Sequence, residues 1–439
     1  MSEAAPITQY DVGMSTADVT PPVGGPLGGF AARARHGSTS VYHPLRAVAT
    51  AIGDGERDVM IISVEWLGCY QLADRVRRAI TQLTGIPASD IVLNASHTHC
   101  GPAVHETGRN SHGWLDDEYI DEAIGKIARA ALRAYRHRNR CTISYALGHS
   151  DIATNRRLPD PENPPLVFDA MLPNPDGPVD HDVPVLVFRS VGDDTPRGLL
   201  FGYACHPTSR SGLAIGGDYV SFAMDHVDEA FPNAQVAFLQ GCGGDAKPRP
   251  ADPNEDGFGF RTVEQVKEIG DELGAAVVAA VADARPVTGP IAIQSVVEVL
   301  HTEPATREAV AEAAAAPEPF KQTWAEHWQG RLDADAELLT SVPFEIQTLT
   351  IGTSLAMITM AGEMTAEHAL RLKVDHGDRY DGVITLGYTG AMVGYVSVRR
   401  QFEELGYEVL HANMWHLRSG RYVIETEDQI HARIAALLT

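Results

Sequence analysis

Two histidines one residue apart are the clearest chemical signal in this sequence. His97 and His99 lie in the segment NASHTHCGP (94–102), which follows a short apolar run. Because side chains alternate in an extended chain, both imidazoles would point to the same side. Such an H-x-H pair commonly presents nitrogen ligands to a metal ion, although two surface histidines at a strand end would give the same pattern.

Four further clusters of polar, glycine and aromatic residues each follow an apolar run. Their principal members are His206, the turn residues Gly243, Gly244 and Asp245, the carboxylate Glu363, and the tyrosines Tyr388 and Tyr395. Singly, each has a structural explanation, such as a turn, a packed ring or a carboxylate near a helix N-terminus. Together, three imidazoles, a carboxylate and a phenol resemble a mononuclear metal site with an open position for water. Zn²⁺ suits this mixed donor set and supports hydrolysis without redox chemistry.

The surrounding sequence alternates apolar, β-rich runs with amphipathic segments. Strands are predicted at 59–64, 91–94, 141–148, 184–190, 198–204, 234–240, 291–300, 343–351, 354–360 and 382–387. Helices are predicted near 71–84, 117–136, 221–231, 262–284, 363–374 and 424–437. This alternation predicts an α/β fold with a mixed, largely parallel sheet and surrounding helices. Ligands in such sheets bind at the carboxyl ends of the strands, where the polar clusters would meet.

We expect one domain over residues 1–439, with two insertions. Residues 156–183 contain seven prolines, which predicts a long surface loop of the kind that sometimes acts as a lid. Residues 304–341 are rich in alanine and glutamate and predict one or two exposed helices. Neither segment interrupts the strand and helix pattern in a way that marks a domain boundary.

Composition excludes several classes of protein. The net charge is −23, from 35 Lys and Arg against 58 Asp and Glu, which argues against nucleic acid and anionic membranes as partners. No apolar stretch approaches the roughly 20 residues that a bilayer requires, and the N-terminus does not read as a signal peptide. Five cysteines without a C-x-x-C pair predict a reducing compartment, so we expect a cytoplasmic protein. Enzymes of this size are often homo-oligomers.

Taken in order, the motifs resemble the catalytic domain of the neutral/alkaline non-lysosomal ceramidases, which are zinc-dependent amide hydrolases. The matching segments are 13–22 (GMSTADVTPP), 44–47 (PLRA), 96–102 (SHTHCGP), 155–156 (NR), 205–209 (CHPTS), 243–245 (GGD), 361–363 (AGE) and 394–396 (GYV). The resemblance implies a ceramidase-like catalytic domain with one zinc ion. Its implied ligands are His97, His206, Glu363 and, rather than Tyr388, Tyr395.

The same resemblance implies that His99 and Arg156 face the scissile carbonyl. We expect the Gly-rich turn 243–245 and Tyr388 to contact the substrate, since glycines let a backbone approach a ligand. The sequence departs from the family at Lys247, which stands where the ceramidases carry a serine. It also ends near the point where ceramidases begin a β-sandwich domain, and lacks the signal peptide of secreted members.

These departures predict a small soluble substrate rather than ceramide. Because Arg156 and Lys247 are cations, that substrate is expected to carry a carboxylate. The main hypothesis is zinc-dependent hydrolysis of an amide, or less readily an ester or lactone, by metal-activated water. The alternatives are a true ceramidase or N-acyl-lipid amidase, and a non-catalytic metal- or ligand-binding descendant of the fold. A further alternative is a cysteine nucleophile, drawn from Cys100, Cys205 and Cys242 and activated by a neighbouring histidine.

Overall fold

The computed structural model describes residues 7–30, 33, 36–105, 114–252, 254 and 256–439. The strands are β1 (Tyr10–Asp18), β2 (Ser40–Val41), β3 (Arg46–Gly53), β4 (Asp58–Val64), β5 (Ile91–Ala95), β6 (Asn139–His149), β7 (Ala153–Asn155), β8 (Asp182–Ser190), β9 (Pro196–Tyr203), β10 (Ala214–Ile215), β11 (Gln235–Gln240), β12 (Ala246–Pro248), β13 (Arg285–Val287), β14 (Ile291–His301), β15 (Ser341–Ile351), β16 (Leu355–Met360), β17 (Glu363–Met364), β18 (Val383–Leu386) and β19 (Tyr395–Val396).

The α-helices in the described residues are α1 (Ala73–Thr84), α2 (Asp117–Arg136), α3 (Tyr219–Ala230), α4 (Val263–Ala280), α5 (Arg307–Ala315), α6 (Pro319–Asp333), α7 (Ala366–His376), α8 (Arg399–Glu404), α9 (Tyr407–Leu410) and α10 (Thr426–Leu437). Short 3₁₀ segments lie at Tyr70–Leu72, Ala88–Asp90, Val281–Asp283 and Ala412–His416. The strongly amphipathic segments therefore form helices close to their predicted bounds. The segment 304–341 contains α5 and α6, and 156–181 contains isolated bridges in place of longer strands.

The fold is built on two large β-sheets. The larger has the order β11-β9-β8-β6-β1-β3-β4-β5, with β13 also paired to β6, and the smaller has the order β14-β15-β16-β18. One buried cluster, which includes Val12, Ile61, Leu349 and Met357, draws side chains from both sheets and forms the layer between them. Helices α1 to α4 cover the outer face of the larger sheet, and α7 and α10 cover the smaller one. The architecture is thus four layered, with helices outside and two sheets inside.

The predicted mixed α/β fold with surrounding helices is confirmed, but the expectation of a largely parallel sheet is wrong. Within the two sheets only the pairs β4–β5, β9–β11 and β16–β18 are parallel. The sequence interpretation missed β1 and β3, whose residues are mostly small or polar rather than β-branched. Both pair antiparallel with their neighbours, and β3 joins β4 through a tight turn at 54–57, a connection that only antiparallel strands allow.

The carboxyl ends of β5, β11 and β18 are held together by one buried side chain. Asn94 accepts a hydrogen bond from the Gln240 backbone N–H at 2.7 Å, and its own amide group donates to the carbonyls of Gln240 and Gly387. All five cysteines are buried and free. Among the described residues, no helix is both long enough and apolar enough to span a bilayer.

Candidate metal centre

His97 follows β5 and turns its imidazole toward the edge where the strands end. Its backbone has a φ of 65°, a left-handed conformation that non-glycine residues rarely adopt. The Nδ1–H donates to the carbonyl of Leu67 at 2.5 Å. With the proton held on Nδ1, the Nε2 lone pair is left to face the interior of the site.

His206 follows β9 and is held in the same tautomer. Its Nδ1–H donates to the carbonyl of Gly243 at 2.6 Å. A Cβ at Gly243 would lie 2.6 Å from the Cys205 backbone nitrogen, so only glycine lets this turn approach the histidine so closely. Burial, followed by the charge of Arg156, lowers the pKa of His206 to about 4, so the ring is neutral at neutral pH. Its Nε2 lone pair therefore also faces the site.

Glu363 brings a carboxylate oxygen between these two nitrogens. It lies in β17, which pairs with β19, so the strand pairing sets Glu363 beside Tyr395. Glu363 Oε2 lies 3.1 Å from His97 Nε2 and 3.3 Å from His206 Nε2. The Tyr395 hydroxyl lies 3.0 Å from His206 Nε2. Burial alone would raise the pKa of the Glu363 carboxyl, but His97 and His206 outweigh burial and hold that pKa well below its ordinary value.

Three separations among these four side chains are compatible with tetrahedral coordination of a divalent cation. With bonds of about 2.0–2.1 Å, tetrahedral ligand atoms are separated by roughly 3.3 Å, close to the separations seen here. The Nε2 atoms of His97 and His206 converge with a carboxylate oxygen of Glu363, an arrangement that a central cation would stabilise. Backbone carbonyls that orient the far nitrogens of the histidines are also typical of metal-ligating imidazoles.

His99 belongs to the same group. Its Nε2 lies 3.1 Å from His97 Nε2, and one nitrogen from each of His97, His99 and His206 lies within 4.8 Å of the others. These three histidines form a group that could bind a metal ion. Burial, followed by the charges of His97 and His206, holds the pKa of His99 well below its ordinary value. Its Nδ1 is buried and has no hydrogen-bond partner.

The two tyrosines lie on different sides of His206. Tyr395 faces Nε2, the nitrogen directed into the site, whereas the Tyr388 hydroxyl lies 3.5 Å from Nδ1. The ring of Tyr388 packs against His97 with 4.5 Å between ring centres. This geometry places Tyr395 among the candidate ligands and Tyr388 behind the imidazoles.

Arg156 lies beside Tyr395 and is already paired. Its Nε donates to Glu408 Oε1 at 2.8 Å, and Arg157 Nη1 donates to Glu408 Oε2 at 2.6 Å. The Arg156 guanidinium lies 5.3 Å from the centre of the Tyr395 ring, and its Nη2 is buried with no hydrogen-bond partner. One donor of Arg156 is therefore held by Glu408, while another remains available to a ligand.

The residues of the Gly-rich turn serve mainly to pack the site. The Asp245 carboxylate accepts hydrogen bonds from the Ala366 backbone N–H at 2.8 Å and from the side chains of Asn155 and Gln401. A Cβ at Gly244 would lie 2.6 Å from the Glu363 carbonyl oxygen, so this glycine lets the turn pack under β17. The turn and Tyr388, which were predicted to contact the substrate, do not lie among the walls of the cavity that leads to the candidate ligands, and neither do Arg156 and Lys247.

A cavity of about 500 Å³, including its open mouth, leads to the candidate ligands. Its walls include Gly29, Leu67, Tyr70, His97, His99, His105, Glu363, Tyr395, Tyr407, Ala412, Trp415 and His416. Sequence reasoning missed Tyr70, Tyr407, Glu408, Trp415 and His416. The concentration of aromatic and histidine residues in 407–416 was the available signal, but no periodicity or spacing linked it to the motifs.

Comparison with known proteins bears on the fold. No protein-family model and no curated protein matches the chain. A solved structure described as neutral ceramidase from Pseudomonas aeruginosa is similar with a TM-score of 0.75 and 17% identity, over 98% of this chain and 74% of that one. The chain has a ceramidase-like fold. A second structure, described as ceramidase complexed with C2, matches with a TM-score of 0.73 and 18% identity, over 97% of this chain and 74% of that one.

The cysteines within the motifs of this ceramidase-like fold are poor candidates for nucleophiles. Burial raises the pKa of the Cys100 thiol to about 11, and burial also raises the pKa of Cys205 and Cys242. A thiolate is the reactive form, so none of the three is activated at neutral pH. The geometry therefore favours the metal hypothesis over the cysteine alternative.

Proposed function

We propose that this protein is a zinc-dependent hydrolase that cleaves an amide bond, or an ester or lactone, in a small soluble substrate. The proposal rests on the arrangement around Glu363 Oε2, which lies 3.1 Å from His97 Nε2 and 3.3 Å from His206 Nε2. His97, His206, Glu363 and Tyr395 would hold the ion. Bound there, Zn²⁺ lowers the pKa of a coordinated water toward about 7 and polarises a carbonyl group.

The side chains around this position have separate roles. His99 is neutral and borders the site, so its imidazole can take up a proton and return it to the leaving group. Arg156 places a permanent cation beside Tyr395, where it stabilises negative charge on the phenol or on a developing oxyanion. Tyr70 and Leu67 line the same cavity and place largely apolar surface beside these groups.

Cavity size sets a limit on what the site can enclose. The enclosed volume is about 80 Å³, below the roughly 300–1,000 Å³ typical of small-molecule sites, so only a small group fits without further opening. The ceramidase-like fold favours a second candidate, a true ceramidase or N-acyl-lipid amidase, because both solved neighbours are described as ceramidases. A cytoplasmic location and assembly into a homo-oligomer remain predictions from the sequence.

Metal removal tests the proposal. Purified protein is treated with a chelator, reloaded with Zn²⁺, and assayed on N-acyl amino acids, lactams, lactones and a short-chain N-acyl sphingosine. We expect hydrolysis of a small amide that is lost on chelation and restored by one equivalent of zinc at this centre. Preferred hydrolysis of the sphingosine substrate would establish the lipid amidase instead. Zinc binding without turnover of any substrate would favour the non-catalytic alternative.

The proposal that the substrate carries a carboxylate depends on Lys247. Its ammonium lies 4.8 Å from the centre of the Phe258 ring, and no described carboxylate lies within ion-pair distance. Burial, followed by the charge of Arg156, lowers the pKa of Lys247 to about 8. A buried cation without a paired carboxylate is stabilised by an anionic ligand, and we propose that the substrate supplies this anion.

We expect Lys247→Met to raise KM for a carboxylate-bearing substrate by roughly 10- to 100-fold, the value of a charge-assisted hydrogen bond of about 1.5–3 kcal/mol. The matched control is the neutral methyl ester of the same substrate, whose KM should change little. Because the ammonium loses its proton as pH rises through about 8, the wild-type preference for the carboxylate should weaken over the same range. Equal effects on both substrates would contradict an anion contact.

A further inference from the structure

Two histidines and an aspartate form a second group of metal-ligating side chains, outside the candidate metal centre. His149 Nε2 lies 2.9 Å from Asp151 Oδ1, and His181 Nδ1 lies 3.4 Å from the same oxygen. All three ligand atoms lie within 4.8 Å of one another. One carboxylate oxygen thus faces two imidazole nitrogens, as in the buried centre.

Strand pairing fixes the backbone beneath this cluster. His149 is the last residue of β6 and pairs with Asp182 at the start of β8. The Ser150 backbone N–H donates to the His181 carbonyl at 3.0 Å, which continues the pairing beyond the strand ends. His149 and Asp151 are two residues apart on one extended segment, and His181 lies on the partner segment. The three side chains therefore leave a hydrogen-bonded pair of chains rather than a free loop, which reduces the entropy lost on binding an ion.

We propose that His149, Asp151 and His181 bind a divalent transition-metal ion of the Zn²⁺ type. Two imidazoles and a carboxylate are a donor set that Zn²⁺ accepts, and the separations are near the roughly 3.3 Å expected between tetrahedral ligands. The side chains of His149 and Asp151 are 63% and 73% exposed, so water can fill the remaining coordination positions. The nearby cation Arg249 is held by Glu272 in a two-bond pair at 2.9 and 2.6 Å.

Binding requires a change of tautomer at both histidines. His149 Nε2 donates to the Asp151 carboxylate at 2.9 Å, so that proton must move to Nδ1 to free the Nε2 lone pair. His181 changes in the same way. Its Nδ1 lies 3.1 Å from the Ser150 carbonyl, to which it donates when protonated. Moving that proton to Nε2 frees the Nδ1 lone pair for the ion and leaves the ring neutral. The change breaks the hydrogen bond from His181 to the Ser150 carbonyl, but no group has to gain or lose a net charge.

The position of the cluster suggests what the ion does. His149 and Asp151 precede the proline-rich segment 156–183, and His181 lies near its end. The intervening chain carries Arg156 to its place beside Tyr395. An ion bound at this cluster would cross-link the two ends of that segment and stabilise the folded chain by mass action.

Zinc stoichiometry of the full chain tests the site, with Zn²⁺ as the probe in equilibrium dialysis followed by elemental analysis. Asp151→Asn and His181→Ala are compared with wild type and with His301→Ala, which removes an exposed histidine at the end of β14. We expect wild type and His301→Ala to bind one more equivalent than the two cluster variants. Zinc should also raise the thermal unfolding midpoint of a His206→Ala chain, and Asp151→Asn in that chain should abolish the rise.

Equal zinc binding by wild type and Asp151→Asn would overturn the proposal, as would a midpoint shift in His206→Ala that survives Asp151→Asn. Asp151→Asn preserves the shape of the side chain, so a folding defect is not expected to obscure the result. A failure of the proposed buried centre can be told apart from a failure of this proposal. The buried centre accounts for the zinc equivalent that His206→Ala removes, whereas the surface cluster accounts for the one that Asp151→Asn removes.

Discussion

Replacing His206 with alanine is expected to remove the buried zinc ion and lower turnover by about 1,000-fold or more. The ring supplies one candidate ligand and lies within 3.3 Å of two others. Metal catalysis contributes several kcal/mol to transition-state stabilisation, and each 1.36 kcal/mol is a factor of ten in rate. Bound zinc is measured by elemental analysis and turnover on the best substrate of the panel. The His206→Ala chain and its reference chain both carry Asp151→Asn, so that the surface cluster does not contribute to the measured zinc content.

The tyrosines provide a matched control for this prediction. Tyr395→Phe removes the hydroxyl that faces His206 Nε2 and should weaken zinc binding, whereas Tyr388→Phe removes a hydroxyl on the opposite side of the ring and should not. Full retention of zinc and turnover in His206→Ala would refute the ligand assignment. Equal weakening by both tyrosine variants would show that the ring packing, rather than a phenol ligand, controls affinity.

Replacing Glu408 with alanine is expected to destabilise the protein by about 3–5 kcal/mol. The Glu408 carboxylate is buried between Arg156 and Arg157, and its removal leaves two buried guanidinium groups without their counter-charge. The free energy of unfolding in urea measures the loss. We also expect reduced turnover, because Arg156 loses the partner that orients it beside Tyr395.

Glu404→Ala is the matched control. Glu404 contacts the same Arg157 at 3.3 Å but is more exposed, so its loss should cost about 1 kcal/mol or less. Burial alone would raise the pKa of Glu408, but Arg156 and Arg157 outweigh burial and lower that pKa below its ordinary value of about 4.3. The contribution of Glu408 is therefore complete above that value and falls as pH drops through the lowered pKa. A wild-type advantage that grows toward acid pH would contradict this account.

The local sequence determined those helices and strands whose apolar residues recur at a regular spacing. The apolar spacing in 117–136 predicts α2 with its observed bounds, because a helix that packs one face on a sheet must repeat its apolar residues every three or four positions. The runs at 59–64 and 91–94 likewise form β4 and β5. The motif residues at the ends of strands were also predictable, since strand ends are where polar side chains can meet.

Tertiary structure alone decided the strand directions and the electrostatics of the site. The antiparallel pairing of β1 and β3 depends on partners distant in sequence, and their small residues carry no apolar alternation. Glu408, the partner of Arg156, is 252 residues away in the sequence. The charge of Arg156 was therefore evident from the sequence, but its neutralisation by Glu408 was not.

Contacts between distant segments also set the tautomers of the histidines. The spacing of His97 and His99 was visible in the sequence, but the tautomer of each candidate ligand depends on a carbonyl brought up by another segment, from Leu67 for His97 and from Gly243 for His206. A sequence fixes which donor atoms are present. Which lone pairs face one another, and therefore whether a cation is favoured there, is set by long-range contacts that only the folded chain makes.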